Sequence, residues 1–260
     1  GEDKELFPRY GWENGMILLG YPRSGNTLMR SLIEAISKRP TSGFQPFDRD
    51  RLNDPNSRNI NDPIVNHDLP LDYLINPNKD RTYDFGGVCA NSDLEPVYHC
   101  HDLEGEVVKK LIGKAKMIFM IRSFKECILR DRVIIADMDK IKSKLNGYIK
   151  VLKLFDQYPA DLKCLFYYED LIDDSMRDSE VERLSKFIGE CNISRRMTDR
   201  AVDRSLRVYS RKYGSKTDGK SQIFHSKKVP VSMRLEIDGY VKYLCGTELL
   251  EYLNRYWEVA

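Results

Sequence analysis

The chain has 260 residues, 41% of them apolar and 32% charged, which suffices for a sizeable core in one α/β unit. Lys and Arg number 42 against 40 Asp and Glu, a net charge of +2, so composition gives no sign of a nucleic-acid partner. No run of about 18 apolar residues is present to span a membrane. None of the six cysteines forms a Cys-x-x-Cys pair of the kind that holds zinc.

Met16 to Gly20 is an apolar run that predicts a buried strand, followed by a glycine-bounded turn from Gly20 to Gly25. Leu28, Leu32, Ile33 and Ile36 then recur at helical spacing, predicting a helix over 27–38 that ends before Pro40. Residues 40–85 are polar, rich in Asn, Asp and Pro, and read as a long irregular excursion. A short strand is expected near Glu95 to His99 and a short helix over 104–112. Lys116 to Ile121 is a second buried strand. Helices are expected over Ser123–Ala136 and Met138–Tyr158, the latter amphipathic through Ile141, Leu145, Ile149, Leu152 and Phe155. Leu162 to Tyr168 predicts a third strand, with helices at 176–190 and near 195–205. A basic loop at 210–230 precedes a last helix pair at 232–244 and 247–257.

Near-continuous apolar strands alternating with helices predict a central parallel β-sheet covered by helices on both faces. The expectation is one domain over 1–260, with an irregular insertion at about 40–95. The cysteines (Cys89, Cys100, Cys127, Cys164, Cys191, Cys245) are scattered and read as reduced thiols, with disulfides as the alternative that an even count leaves open. With no leader legible, the expected compartment is the cytoplasm. The chain opens on Gly1 rather than Met, so a secretory-pathway lumen is the alternative if an anchor precedes it.

A strand, a Gly-x-x-x-x-Gly turn and a helix make the layout of a phosphate-cradling loop. Glycines let successive N–H groups point inward, and the helix N-terminus adds partial positive charge. Nucleotide triphosphatases want Lys and then Ser or Thr after the second glycine. Here Asn26 stands in the Lys position, and the nearby cation, Arg23, lies inside the loop. Tyr21-Pro-Arg-Ser-Gly-Asn-Thr27 therefore resembles the 5′-phosphosulfate loop of sulfotransferases that use 3′-phosphoadenosine 5′-phosphosulfate (PAPS). That family typically shows Tyr-Pro-Lys-Ser-Gly-Thr-Thr. The resemblance implies a P-loop-containing fold, and it implies donor binding by Arg23, Ser24, Gly25, Asn26, Thr27 and Leu28.

Strand 116–121 runs into Arg122, and ligands of open α/β sheets bind at the carboxyl ends of strands. The family places an Arg here and a Ser eight residues on, both for the donor's 3′-phosphate. Arg122 fits the first role. Arg130 replaces the Ser and, on a helix continuing from Ser123, either binds phosphate bidentately or points away. Phe166-Tyr-Tyr-Glu-Asp-Leu171 resembles the family's Phe-Tyr-Glu-Asp-Met segment, which puts Tyr168 in the adenine-contacting position. Tyr167 reads equally as a core residue. Lys216, Gly219 and Lys220 fall where the family carries an Arg-Lys-Gly phosphate clamp, and otherwise read as a solvated basic loop.

The histidines are His67, His99, His101 and His225. Sulfuryl transfer needs a base near the acceptor, and imidazole titrates near operating pH. The family carries Lys-Thr-His between its phosphate loop and its 3′-phosphate strand. Tyr98-His-Cys-His-Asp102 occupies that slot, so His101 is the expected base and His99 stands where the Lys would be. The family's Lys helps stabilise the leaving group, a catalytic role that the resemblance passes to a protonated His99 or to Arg23 alone. The His-x-His pair also reads as two metal ligands, but no third is evident. His225 has a phosphate-loop and a surface reading.

The resemblance implies an enzyme that moves a sulfuryl group from PAPS to a hydroxyl or amine, releasing 3′,5′-bisphosphoadenosine (PAP) and requiring no metal. The implied partner is a small-molecule or glycan acceptor, with oligomeric state left open. Arg49, Arg51 and Arg58 either welcome an anionic acceptor or are solvated. Two rivals stand beside this reading. One is a P-loop kinase or nucleotide hydrolase, for which Glu169-Asp170 would supply a magnesium-binding acid. The other is an inactive sulfotransferase-like binding module.

Overall fold

The structure, a computed structural model, describes residues 15–37, 41–42, 82–84, 89–91, 97–103, 106–129, 137–189, 195, 198–199, 201–203 and 229–258. The expected sheet is present. Strands β1 (Met16–Gly20), β2 (Thr41–Ser42), β5 (Val97–Cys100), β6 (Lys116–Ile121) and β7 (Lys163–Tyr167) form a five-stranded sheet in the order β2-β5-β1-β6-β7. Every pairing in it is parallel. Strands β3 (Thr82–Asp84) and β4 (Cys89–Asn91) pair antiparallel apart from it.

The central strand explains why the apolar run is unbroken. Side chains alternate across a strand, and both faces of β1 meet helices. Ile17 and Leu19 join Tyr98, Cys100, Phe119 and Ile121 in one core layer. Helices α4 (Met138–Asp156) and α7 (Val231–Cys245) cover it with Ile141, Leu145, Leu152, Ile237 and Val241. Met16 and Leu18 join Val97, Ile118, Met120 and Phe166 on the other face. That face is covered by α1 (Asn26–Ser37) and α6 (Arg177–Ile188) through Leu28, Met29, Leu32, Val181 and Leu184.

The remaining described helices are α2 (Glu106–Leu111), α3 (Phe124–Ile128), α5 (Tyr168–Ile172) and α8 (Leu250–Leu253), with 3-10 turns at Ala160–Leu162 and Asn254–Tyr256. Asp137 caps α4 by accepting from the Asp139 and Lys140 amides, both at 3.1 Å. Gly189 closes α6 at φ +99°, the left-handed conformation a helix C-terminus commonly takes. Buried Arg30 and Glu34 of α1 grip Thr41. Arg30 donates to its carbonyl at 3.0 Å, and Glu34 accepts from its amide at 3.1 Å. This grip seats the two-residue edge strand β2.

Three expectations need correction. The helix expected over Ser123–Ala136 is closed at Ile128, with Leu129 as C-cap. Arg130 lies outside the described residues. The irregular insertion expected at about 40–95 holds strands β2, β3 and β4, and the rest of it is also outside them. Tyr168 begins a one-turn helix instead of ending the third strand. Cys100, Cys127, Cys164 and Cys245 are free thiols, and no described helix is long and apolar enough to cross a membrane.

Candidate functional site

Parallel pairing brings the carboxyl ends of β5, β1, β6 and β7 to one edge of the sheet. Gly20 lies beside Met120, Leu19 beside Cys100, and Ile121 beside Tyr167. The residues that leave these strands are therefore neighbours: the loop after Gly20, His101 after Cys100, Arg122 after Ile121, and Tyr168 after Tyr167.

The loop from Tyr21 to Gly25 is tied from inside. Ser24 donates to the Tyr21 carbonyl twice, through its amide at 3.1 Å and its hydroxyl at 2.5 Å. The Asn26 amide nitrogen donates to the same carbonyl at 3.1 Å and reaches the Gly20 carbonyl at 3.5 Å. Arg23 is exposed and holds φ +74°, the one described non-glycine residue with positive φ, and Gly25 follows at φ +100°. A side chain at position 25 would strike Tyr168, since an added Cβ falls 2.3 Å from Cδ2 of that ring. In α1 the Met29 amide is bonded to the Gly25 carbonyl at 3.2 Å. The amides of Asn26, Thr27 and Leu28 precede this first intrahelical donor, so they form the anion-attracting end of the helix.

The geometry shows what each residue of the expected donor set presents. Ser24 is fully buried, and both its hydroxyl and its amide serve the Tyr21 carbonyl. The side chain of Asn26 is turned inward, and that of Leu28 is part of the core. Only backbone amides of Asn26 and Leu28 suit an anion, whereas Arg23 is exposed and Thr27 half-buried.

At the end of β6, the Arg122 guanidinium lies over the Tyr168 ring, 4.3 Å from its centre. The buried Tyr148 of α4 donates its hydroxyl to the Arg122 carbonyl at 2.7 Å, anchoring that turn. Glu169 joins the ends of β6 and β7. It accepts from the Ser123 amide at 3.4 Å and from the Tyr256 hydroxyl at 2.8 Å. Burial and the Glu169 charge raise the Tyr256 hydroxyl far above its ordinary pKa, so it remains a donor. Asp170 pairs with Arg255 at 2.9 Å. The two carboxylates that a kinase reading would give to magnesium are thus committed to the C-terminal segment. Tyr167 proves to be the packed neighbour: its hydroxyl donates to the Tyr252 carbonyl at 3.2 Å, under the Arg255 guanidinium.

At the end of β5, His101 Nδ1 is 2.5 Å from the Gly20 carbonyl. A carbonyl only accepts, so Nδ1 carries the proton and, in the neutral ring, Nε2 carries the lone pair. Burial pushes the His101 pKa below 6.5, against the upward pull of the Gly20 bond and the Asp102 charge. The ring is therefore neutral near pH 7, the form a proton acceptor needs. His99 is buried inside β5, and its ring meets His101 edge to face at 4.8 Å and 89°. It packs against His101 and does not stand at the open edge where the family's Lys would be expected. Among the described residues, no three His, Cys, Asp or Glu side chains are grouped to hold a metal ion.

Lys216, Gly219, Lys220, His67 and His225 lie outside the described residues, as do Arg49, Arg51 and Arg58. Sequence reasoning missed the Gly20 carbonyl, Tyr148 and Tyr256. The last two act across 26 and 87 residues, and no local spacing announces them.

No family model matches the chain, and no curated protein matches it. Solved structures do. Retinol dehydratase, in complex with androsterone and inactive cofactor PAP, is 11% identical. The match covers 90% of this chain and 81% of that one, with a TM-score of 0.50. A sulfotransferase domain from the curacin biosynthetic pathway is 14% identical, covering 95% and 99%, at a TM-score of 0.47. A sulfotransferase domain from the Synechococcus PCC 7002 olefin synthase is 13% identical, covering 95% of each, also at 0.47. At these identities the likeness is one of fold, and it is the fold expected from the loop at residues 21–27: the chain has a sulfotransferase-like α/β fold.

Proposed function

We propose that the protein is a sulfotransferase that moves a sulfuryl group from PAPS to a hydroxyl or amine of a small-molecule or glycan acceptor. The observation that carries this reading is the meeting of four parts on one sheet edge. These are a loop leading into a helix N-terminus, Arg122 at the end of β6, Tyr168 against Gly25, and a neutral histidine at the end of β5.

The parts fit the donor. Amides of residues 25–28, Thr27 and Arg23 suit the 5′-phosphosulfate, because amide dipoles and a guanidinium favour anionic oxygens. Arg122 suits the 3′-phosphate once it leaves the Tyr168 ring, and that ring then suits the adenine face. When bound, PAPS supplies the activated sulfuryl group. His101 Nε2 takes the acceptor proton as the acceptor's oxygen or nitrogen bonds to sulfur. The bond from sulfur to the bridging oxygen breaks, and PAP keeps that oxygen. Arg23 takes up charge on the leaving side, while His99 packs against the base and holds its ring. No protein nucleophile is required.

Calorimetry with PAP and with magnesium-ATP tests the donor assignment. The reading expects binding of PAP and a much weaker response to magnesium-ATP; the reverse order sinks it in favour of kinase or hydrolase chemistry. Labelled PAPS with a panel of acceptor classes tests the reaction. His101→Ala should abolish transfer while PAP still binds. Binding of PAP by the unaltered protein without transfer to any acceptor would favour the binding module.

A further inference from the structure

Gly20 and the side chain of Asn26 have no place in the proposed chemistry, yet the site is built around their contact. The Gly20 carbonyl ends the central strand and lies between two donors, His101 Nδ1 at 2.5 Å and Asn26 Nδ2 at 3.5 Å. The same Asn26 nitrogen holds the next carbonyl, of Tyr21, at 3.1 Å. Two successive carbonyls at the end of β1 are thereby turned under the loop. One of them is the acceptor that decides which nitrogen of His101 carries the proton.

The two residues need each other. An added Cβ at Gly20 would fall 2.2 Å from Asn26 Oδ1 and 3.2 Å from the Met120 carbonyl oxygen. Only glycine leaves room for the Asn26 amide above the strand end. Asn26 Oδ1 is itself buried without a hydrogen-bond partner in the described structure. A buried acceptor left unsatisfied is unfavourable, so what the position uses is the donor end of the amide. A lysine, which nucleotide triphosphatases place here, would put a flexible ammonium where a short fixed donor is wanted.

We infer that Asn26 is a positioning residue for His101. By holding the Gly20 and Tyr21 carbonyls from the loop side, it keeps His101 as the Nδ1–H tautomer with its lone pair on Nε2. The phosphate loop and the base are then one unit, joined at a single carbonyl. The inference rests on the proposed reading of His101 as the base, but its geometry can be tested without any substrate.

The test is nitrogen-15 NMR of the histidine rings in the full ligand-free chain, with His101 assigned by His101→Gln. The unaltered protein should show a protonated Nδ1 and a bare Nε2. Asn26→Ala should shift His101 toward the Nε2–H tautomer that free imidazole side chains favour. Gly20→Ala should do the same by displacing the Asn26 amide, and it carries the test if Asn26→Ala fails to fold. In transfer assays either variant should lose roughly 10²–10³ in kcat, the order expected of a misdirected base, with a change of less than about threefold in the dissociation constant of PAP. A protonated Nε2 in the unaltered protein overturns the inference, as does an unchanged tautomer in both variants. Either result leaves the sulfotransferase reading intact if PAP still binds. Conversely, the expected tautomer in a protein that ignores PAP overturns that reading and removes the catalytic meaning of the contact.

Discussion

Gly25 is the position where the loop is most exposed to a single added methyl. At φ +100° an L side chain is strained, by about 1–2 kcal/mol. A Cβ there would also lie 2.3 Å from Tyr168 Cδ2, 2.9 Å from its Cε2 and 3.0 Å from the Met120 methyl. The methionine end is flexible. The ring is less so, because the Arg122 guanidinium lies over it. Overfilling a packed contact adds roughly 1–3 kcal/mol. Gly25→Ala should therefore cost about 3 kcal/mol, a fall of roughly 6–12 °C in Tm for a chain of this size. A double-mutant cycle separates the two causes. With Tyr168→Ala the ring is gone, and Gly25→Ala should cost only the backbone strain of about 1–2 kcal/mol. With Tyr168→Phe the ring atoms concerned remain, and the full cost should return. Urea unfolding of all the variants is the assay. An equal cost of Gly25→Ala with and without the ring, or no cost in either background, would refute the placement of Tyr168 on the loop.

Three further outcomes follow from buried charge and from the histidine. Lys125 is 4% exposed and pairs with Asp238 at 2.9 Å and Glu258 at 3.2 Å, so Lys125→Met should destabilise by roughly 3–5 kcal/mol in guanidinium unfolding. Adding Asp238→Leu should recover part of that loss, and a single-variant cost below about 1 kcal/mol would contradict the network. Tyr256→Phe removes the 2.8 Å bond to Glu169 and should cost about 1–3 kcal/mol by the same measurement. A value near zero would show that the Ser123 amide alone holds the carboxylate. In transfer assays, kcat/KM should rise with pH through a midpoint below 6.5 and then level off, because the base must be neutral and burial lowers its pKa. The sign for stability agrees. A depressed histidine pKa contributes stability present above 6.5 and lost as pH falls toward the folded value. An acid limb centred above 6.5 would remove His101 from the base role.

What could be read from the chain was contiguous. Met16–Gly20 and Met117–Ile121 are apolar without interruption because both faces of the central strands are covered, and such runs can be recognised without knowing the partners. The end of the helix after Arg122 was not legible, since residues beyond Ile128 keep a helical composition and the closure at Leu129 is a backbone event. Strand β2 has two residues, too few to show any period, and it is seated by Arg30 and Glu34 from the neighbouring helix. Within the site, identities were legible but directions were not. Asn26 first counts as a missing lysine. Its inward donation to Tyr21 becomes visible only when one asks what fills the space that Gly20 leaves.

That inward turn bears on what anion the edge can read. A triphosphate site places an ammonium from the helix start on contiguous phosphates and an acidic side chain on their magnesium. Here the helix start contributes a neutral amide that faces its own loop, and Glu169 and Asp170 are held by Tyr256 and Arg255. Among the described residues, positive charge on this edge instead comes from two guanidinium groups on neighbouring strand ends. Arg23 is carried outward by a left-handed turn after β1, and Arg122 rests on an aromatic ring after β6. Guanidinium groups grip oxyanions two oxygens at a time, and two of them on separate strands suit two separate phosphate groups better than one chain of three. On the proposed donor reading, Arg122 leaves Tyr168 so that the ring can meet the adenine, and a nucleotide lacking its second phosphate would have to lift the cation from the ring without offering it a partner. On that reading the contact between Arg122 and Tyr168 would favour a bisphosphate over its monophosphate.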